Sequence, residues 1–187
     1  IKSDGTLWTW GDGNASKLGH GNTTSYHIPT KVGTDTNWVD VGCGEYHTIA
    51  IKSDGTLWAW GDGSDGKLGQ GNDSTDKNVP TQVGTDTNWR CVSASYSYNQ
   101  IAIKTDGTLW VWGSSSDGGL GRPQGSDAVV PEQLGTDTNW KSVSAGYSYG
   151  HAVNTAGQLW GWGRNNLGEV GTGNTSSPVI GLTRINH

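Results

Sequence analysis

Ile51-Lys52-Ser53-Asp54-Gly55-Thr56-Leu57-Trp58 repeats, letter for letter, the stretch Ile1-Lys2-Ser3-Asp4-Gly5-Thr6-Leu7-Trp8 that opens the chain. It returns at Ile103 to Trp110 with one Ser-to-Thr change, and in decayed form at Val153 to Trp160. The offsets are 50, 52 and 50 residues. A second block, Gly33-Thr34-Asp35-Thr36-Asn37-Trp38, recurs at Gly84 to Trp89 and at Gly135 to Trp140. All 11 Trp lie in these blocks, eight in the four L-W-x-W-G copies and three in the T-D-T-N-W copies. Tryptophan is therefore periodic scaffold here before it is anything else. A fixed period of this length marks an array of one supersecondary unit, stacked to bury a shared core.

Within one unit the apolar residues alternate: Val41 and Cys43, Ile49 and Ile51, Trp58 and Trp60. Period two is the pattern of half-buried strands. Ser53-Asp54-Gly55 separates two such runs, and a D-G pair there predicts a hairpin, because both residues tolerate a positive φ. A stretch rich in Gly, Asp, Ser and Asn follows from Gly61 to Asn78, and then a short piece opened by Pro80. Proline cannot donate to a ladder, so that piece suits an edge strand. No window has helical periodicity. Several short strands per repeat predict an all-β chain of β-propeller architecture, about three and a half to four four-stranded blades. Division at the T-D-T-N-W blocks places the blades at approximately 1–33 (partial), 34–84, 85–135 and 136–187 of a single propeller region. The segment Val39 to Ala50 has no counterpart in the partial blade. A seven-bladed ring needs roughly 350 residues at this period, so the expectation is part of a larger ring, with a four-blade ring that closes one strand short or an assembly of half-rings as the alternatives.

Composition narrows the function. Twelve Lys+Arg stand against 17 Asp+Glu in 187 residues, a formal net charge of −5. The basic residues are scattered, whereas a nucleic-acid binder needs a basic face, so no nucleic-acid partner is expected. Apolar runs fall far short of the ~20 residues of a membrane helix, and no membrane insertion is expected. With no targeting leader and no Met, the chain is expected to be a processed product or a fragment. Two Cys make no disulfide framework. Cys43 aligns with Ala94 and Ala145 and reads as a small packing residue, while Cys91 aligns with Asp40 and Ser142. Free thiols and no zinc are expected.

The candidate chemical motifs dissolve into turns. Gly61-Asp62-Gly63-Ser64-Asp65-Gly66 spells G-x-G-x-x-G after a strand. Its phosphate-binding mechanism needs a following helix, which Lys67-Leu68-Gly69-Gln70-Gly71-Asn72 does not offer. The S-D-G-T-L-W turn has the wrong spacing for the Asp box of sialidases. The three Glu (Glu45, Glu132, Glu169) occupy different phases of the repeat, so no pair of glycosidase carboxylates is read. Asp62, Asp65, Asp73 and Asp76 crowd one loop, but their order does not match a calcium loop, and Asx turns account for them. No catalytic residue, metal or cofactor is expected.

The unit I-K-S-D-G-T-L-W-A-W-G … L-G-Q-G … P-T-Q-V-G … W-x-x-V-S-A-G … H-T-x-A resembles the RCC1-type (regulator of chromosome condensation) repeat over essentially the whole chain. The resemblance implies a propeller, usually of seven blades, each a four-stranded antiparallel sheet. Near-identity between copies, and the T-D-T-N-W variant, look more like members from bacteria and their phages than the divergent eukaryotic blades. The eukaryotic namesake implies guanine-nucleotide exchange on a small GTPase and docking on chromatin, through inserted loops and a basic tail that are not seen in this chain. Plant ultraviolet receptors of this type carry G-W-R-H-T, where this chain reads Gly44-Glu45-Tyr46-His47-Thr48, without the Trp or the Arg.

What remains is a non-enzymatic binding or structural scaffold acting through loops on a repetitive frame. The copies diverge most at Asn22 to Ile28, Asn72 to Val79 and Arg122 to Val130. Tyr26, His27, Lys77, Arg122 and Gln124 are the contact-capable side chains there. The expected partner is a protein or a cell-surface component. The edge of the Ile1 strand is expected to be covered by further blades of the same polypeptide or by a neighbouring subunit. An extracellular or virion-surface setting is expected over a cytoplasmic one, with regulation of a small GTPase as the alternative.

Overall fold

A computed structural model of the chain describes residues 1–72, 74–96, 98–123 and 125–186. Fourteen strands form four antiparallel sheets. Blade I has two strands, β1 (Trp8–Gly11) and β2 (Tyr26–Lys31). Blade II is a meander of β3 (Trp38–Cys43), β4 (His47–Lys52), β5 (Leu57–Gly61) and β6 (Lys77–Val83). Blade III repeats it as β7 (Trp89–Ala94), β8 (Asn99–Lys104), β9 (Leu109–Gly113) and β10 (Ala128–Gln133). Blade IV comprises β11 (Trp140–Ala145), β12 (Tyr149–Asn154), β13 (Leu159–Gly163) and β14 (Val179–Arg184). Helix among the described residues is confined to three-residue 3-10 turns at Asn14–Ser16, Ser64–Gly66 and Ser116–Gly118.

The repeated sequence explains the repeated turn. Asp54 accepts from both the backbone N–H and the hydroxyl of Thr56, and that hydroxyl accepts from Trp58 Nε1 at 2.8 Å. Asp4-Thr6-Trp8 and Asp106-Thr108-Trp110 build the same relay. Gly55 sits at φ +78°, and a Cβ there would collide with the Thr87 carbonyl, so the hairpin tolerates no side chain. In the decayed copy Ala156 and Gln158 replace the Asp and the Thr, and Trp160 Nε1 is buried without a partner.

The tryptophans of the other block are buried in the wedge between strands. Trp38, Trp89 and Trp140 are 2–3% exposed. Each meets the Trp of its own L-W-x-W-G hairpin edge-on, as in Trp89 against Trp110 and Trp112 at 5.6 and 6.1 Å. Lys104 lies 3.6 Å over Trp110 and 4.6 Å over Trp89, with its ammonium 2.7 Å from Asp86. Lys52 and Asp35 do the same over Trp38 and Trp58. The Asp of T-D-T-N-W and the Lys of I-K-S-D-G are thus two halves of one lid.

Neighbouring blades are joined by an indole latch. Trp60 Nε1 donates to the Lys17 carbonyl at 2.9 Å, Trp112 Nε1 to Lys67 at 3.1 Å and Trp162 Nε1 to Gly119 at 3.0 Å. These three indoles are fully buried. The inner strands add apolar contact: Ile49, Ile51, Ile101, Ala102 and Ile103 are at most 1% exposed and join one core across blades II to IV.

Three expectations change. Pro80 does not open its strand: β6 begins at Lys77, and the register slips between Thr81 and Lys77, where the proline falls. The first residues are not a strand either, since β1 starts at Trp8. Cys43 is exposed rather than packed. Its counterpart Ala94 lies against Gly42 of the preceding blade, where a Cβ would stand 3.3 Å from that of Ala94. Blade I has no inner strand among the described residues to do the same for Cys43, which instead borders a hollow of about 480 Å³ with Leu7, Trp8, Trp10 and Val41.

Candidate functional site

Strand alternation puts the β3–β4, β7–β8 and β11–β12 loops at the same end of the blades as the long β5–β6 and β9–β10 loops. Four of the chain's six Tyr fall in those three short loops, Tyr46, Tyr96, Tyr98 and Tyr147, and Tyr149 opens β12 directly after the third. The four loop Tyr are 39–58% exposed, and together they form a crescent near the inner ends of the blades. Backbone bonds fix it. Glu45 N–H donates to the Tyr96 carbonyl at 3.2 Å, tying two loops across the blade boundary. Asp62 and Ser114 N–H groups donate to the Tyr46 and Tyr98 carbonyls at 2.9 and 3.1 Å. Gly61, at φ +105°, permits this approach, because a Cβ there would strike the Tyr46 carbonyl.

The electrostatics of the crescent centre on Glu45. Hydrogen bonding to its carboxylate pushes the Tyr46 and Tyr96 hydroxyl pKa values up, and the negative charge adds to that. Lys17 lies 5.3 Å over the Tyr46 ring and pairs with Asp12 at 2.6 Å. The buried Lys67 lies 4.7 Å over Tyr98 and pairs with Asp62 and with Ser64 Oγ. Arg164 stands 5.5 Å over Tyr147 and pairs with Glu169 at 3.4 Å. Tyr96 and Tyr147 face each other with centroids 6.5 Å apart.

Below this surface lies the His47 slot. His47 is 1% exposed, and neither ring nitrogen has a hydrogen-bond partner, although the equally buried Gln100 amide is close by. Burial pushes its pKa down to about 4, with a smaller opposing pull from Gln100, so the ring is neutral near pH 7. Asn99 and Tyr149 occupy the equivalent position in blades III and IV.

The side chains expected from loop divergence are placed one blade apart at the outer rim, and they do not converge. Tyr26 packs on His20 at 4.5 Å, and its hydroxyl accepts from Asn22. His27 is exposed beside it. Lys77 donates to Thr75 Oγ1 at 2.8 Å. Arg122 reaches the Ser126 carbonyl at 2.6 Å and Glu132 at 3.4 Å. Gln124 lies outside the described residues, as does Asp73 of the Asp-rich loop. In that loop Asp62 is engaged by Lys67 and Asp76 by the Gly63 N–H. Part of the divergent loops serves as blade joint: Gly21 and Gly71 N–H groups donate to the Asn78 and Val129 carbonyls of the next blade, both at 2.8–2.9 Å. Among the described residues no three His, Cys, Asp or Glu side chains are grouped to hold a metal.

The family described as the regulator of chromosome condensation (RCC1) repeat matches residues 4–51, 54–102 and 106–153. The human E3 ubiquitin-protein ligase HERC2 is 32% identical over 124 residues, 65% of this chain and 2% of that protein. The ultraviolet-B receptor UVR8 of Arabidopsis thaliana is 31% identical over 141 residues, 74% of this chain and 32% of that protein. Human WBSCR16 superposes with a TM-score of 0.88 at 25% identity, over 100% of this chain and 50% of its own. Yeast RCC1, solved bound to Kap60, gives 0.83 at 22% identity over 98% and 45%. The chain spans about half the length of these solved propellers and at most about a third of these curated relatives.

Proposed function

The chain belongs to the regulator of chromosome condensation repeat family, and from that premise we propose that it is a non-enzymatic module that binds a protein partner through its tyrosine-lined face. One observation carries the reading: four of the six tyrosines are gathered, exposed, in three equivalent loops, on a frame that buries Trp38, Trp60, Trp89, Trp112, Trp140 and Trp162. Tyr, Ser, Gly and Asn are the residues from which antibody loops build protein-binding surfaces, because tyrosine offers large rigid contact area at little entropic cost. Ser95-Tyr96-Ser97-Tyr98-Asn99 and Gly146-Tyr147-Ser148-Tyr149-Gly150 have that composition. Protein partners also figure in the titles of relatives: yeast RCC1 is bound to Kap60, and the yeast protein Prp20p is described with binding to Gsp1p and histones. The expected extracellular or particle-surface setting is compatible with this reading and does not carry it.

The test is site-specific photo-cross-linking in the cells that make the chain. A benzophenone amino acid at Tyr96 or Tyr147 is expected to capture one common protein, which the same probe at Thr87, in the loops of the opposite end, does not. Capture from Thr87 alone, or from the outer-rim Val130 alone, overturns the placement. Nucleotide release from a small GTPase on adding the chain would instead favour the regulatory alternative.

A further inference from the structure

We infer that the Glu45 carboxylate and the rings of Tyr46, Tyr96 and Tyr98 form a cage for an arginine side chain of the partner; this rests on the binding reading above and adds its chemistry. The argument begins with unequal pairing. Every cation that touches the crescent has its own carboxylate: Lys17 with Asp12, Lys67 with Asp62, Arg164 with Glu169. Among the described residues no cation pairs with Glu45, whose neighbours are phenol hydroxyls. A part-buried anion beside exposed tyrosines, tied by its own backbone N–H to the Tyr96 carbonyl at 3.2 Å, is complementary to a cation. The ring quadrupoles attract it, and the carboxylate supplies the counter-charge.

The chain itself displays this mode one blade away. In blade IV the guanidinium of Arg164 lies 5.5 Å from the Tyr147 ring centroid and is held by Glu169. The crescent between blades II and III has the tyrosines and the carboxylate, without an arginine of its own. A comparison of repeats supports a selected arrangement. Asp12, Lys17 and Tyr46 match Asp62, Lys67 and Tyr98 position for position, and all three are replaced together by Ser114, Gly119 and Ser148 in the next unit. The paired lysines lie over the Tyr46 and Tyr98 rings, and Glu45 is half-exposed beside them with no cation of its own among the described residues. Guanidinium suits the place better than ammonium, because its plane stacks on tyrosine while its fork pairs with a carboxylate.

The test is fluorescence anisotropy with fluorescein-Gly-Arg-Gly-Arg-Gly-amide and a twin in which both arginines are citrulline, isosteric and neutral. The arginine peptide is expected to bind about tenfold or more tightly than its twin. Glu45→Gln should erase that difference, and Tyr96→Leu should weaken the arginine peptide. Asp137→Asn, which removes the same charge from the opposite end of the blades, should change neither. Equal binding of the twin, or equal loss in Glu45→Gln and Asp137→Asn, overturns the cage. So does maltoheptaose binding that needs Tyr96 but not Glu45. Circular dichroism of each variant confirms the fold before binding is scored. Cross-links at Tyr96 with no effect of Glu45→Gln would remove the cage while leaving the binding face intact.

Discussion

At the scale of single residues the tryptophans divide by what their N–H groups reach. Trp58 and Trp110 end an Asp–Thr relay, whereas Trp160 is left without a partner because Ala156 and Gln158 have replaced the relay. The double variant Ala156→Asp, Gln158→Thr rebuilds it and should raise stability in urea unfolding by about 1 kcal/mol. Trp89 is 3% exposed in contact with two other indoles, so Trp89→Ala should cost about 3–5 kcal/mol. A loss under about 1 kcal/mol would contradict the packing just described. The periodic Trp were legible because their spacing alone marks them as scaffold. The Tyr crescent was not, although four of the six Tyr fall between equivalent strands. Loops that differ in length and charge stand out in the sequence, whereas short loops of similar shape hide a change of surface.

At the scale of the element, β4 is buried along its whole length and carries His47 at its first position. The folded pKa is about 4, below the ordinary value of 6.5. Between those pH values the unfolded chain binds a proton that the folded chain refuses. Stability is therefore full above about pH 6.5 and falls as pH drops toward 4, by on the order of 3 kcal/mol. His47→Asn, which installs the residue found in the equivalent slot of blade III, should flatten that part of the profile. Asp54 and Asp106, whose pKa values are lowered by hydrogen bonds from Thr56 and Thr108, act at more acid pH and should be unaffected. The sequence placed the hairpin turn at Ser53-Asp54-Gly55 because its Asp and Gly act locally, and the second strand begins at Leu57, one residue later than the sequence suggests. It read Lys67 to Asn72 as plain turns, because the function of that segment, receiving Trp112 Nε1, depends on a residue 45 positions away.

At the scale of the molecule, blade I is the asymmetric part. β1 pairs with β2 on one edge only, next to a hollow bordered by Leu7, Trp10 and Val41. An open edge beside apolar surface invites pairing with another chain. The 187-residue chain is expected to self-associate at micromolar concentration in analytical ultracentrifugation, and a monodisperse monomer would show that the edge is protected. The propeller architecture was legible from periodicity, since each unit repeats the same burial problem. The indole latch adds a direction to that array. Each blade from II onward inserts a Trp into the blade before it, and Trp10, the counterpart in blade I, stands 58% exposed. In a chain of units coupled to nearest neighbours, a unit held from one side melts first. Blade I makes no indole latch of its own, is joined to blade II by Trp60 and the Gly21–Asn78 backbone bond, and is the one sheet with two strands among the described residues. Amide exchange should therefore be fastest in β1 and β2, slowest in β8, and should advance from the blade I end, so that the arc frays like a rope with one end unwhipped.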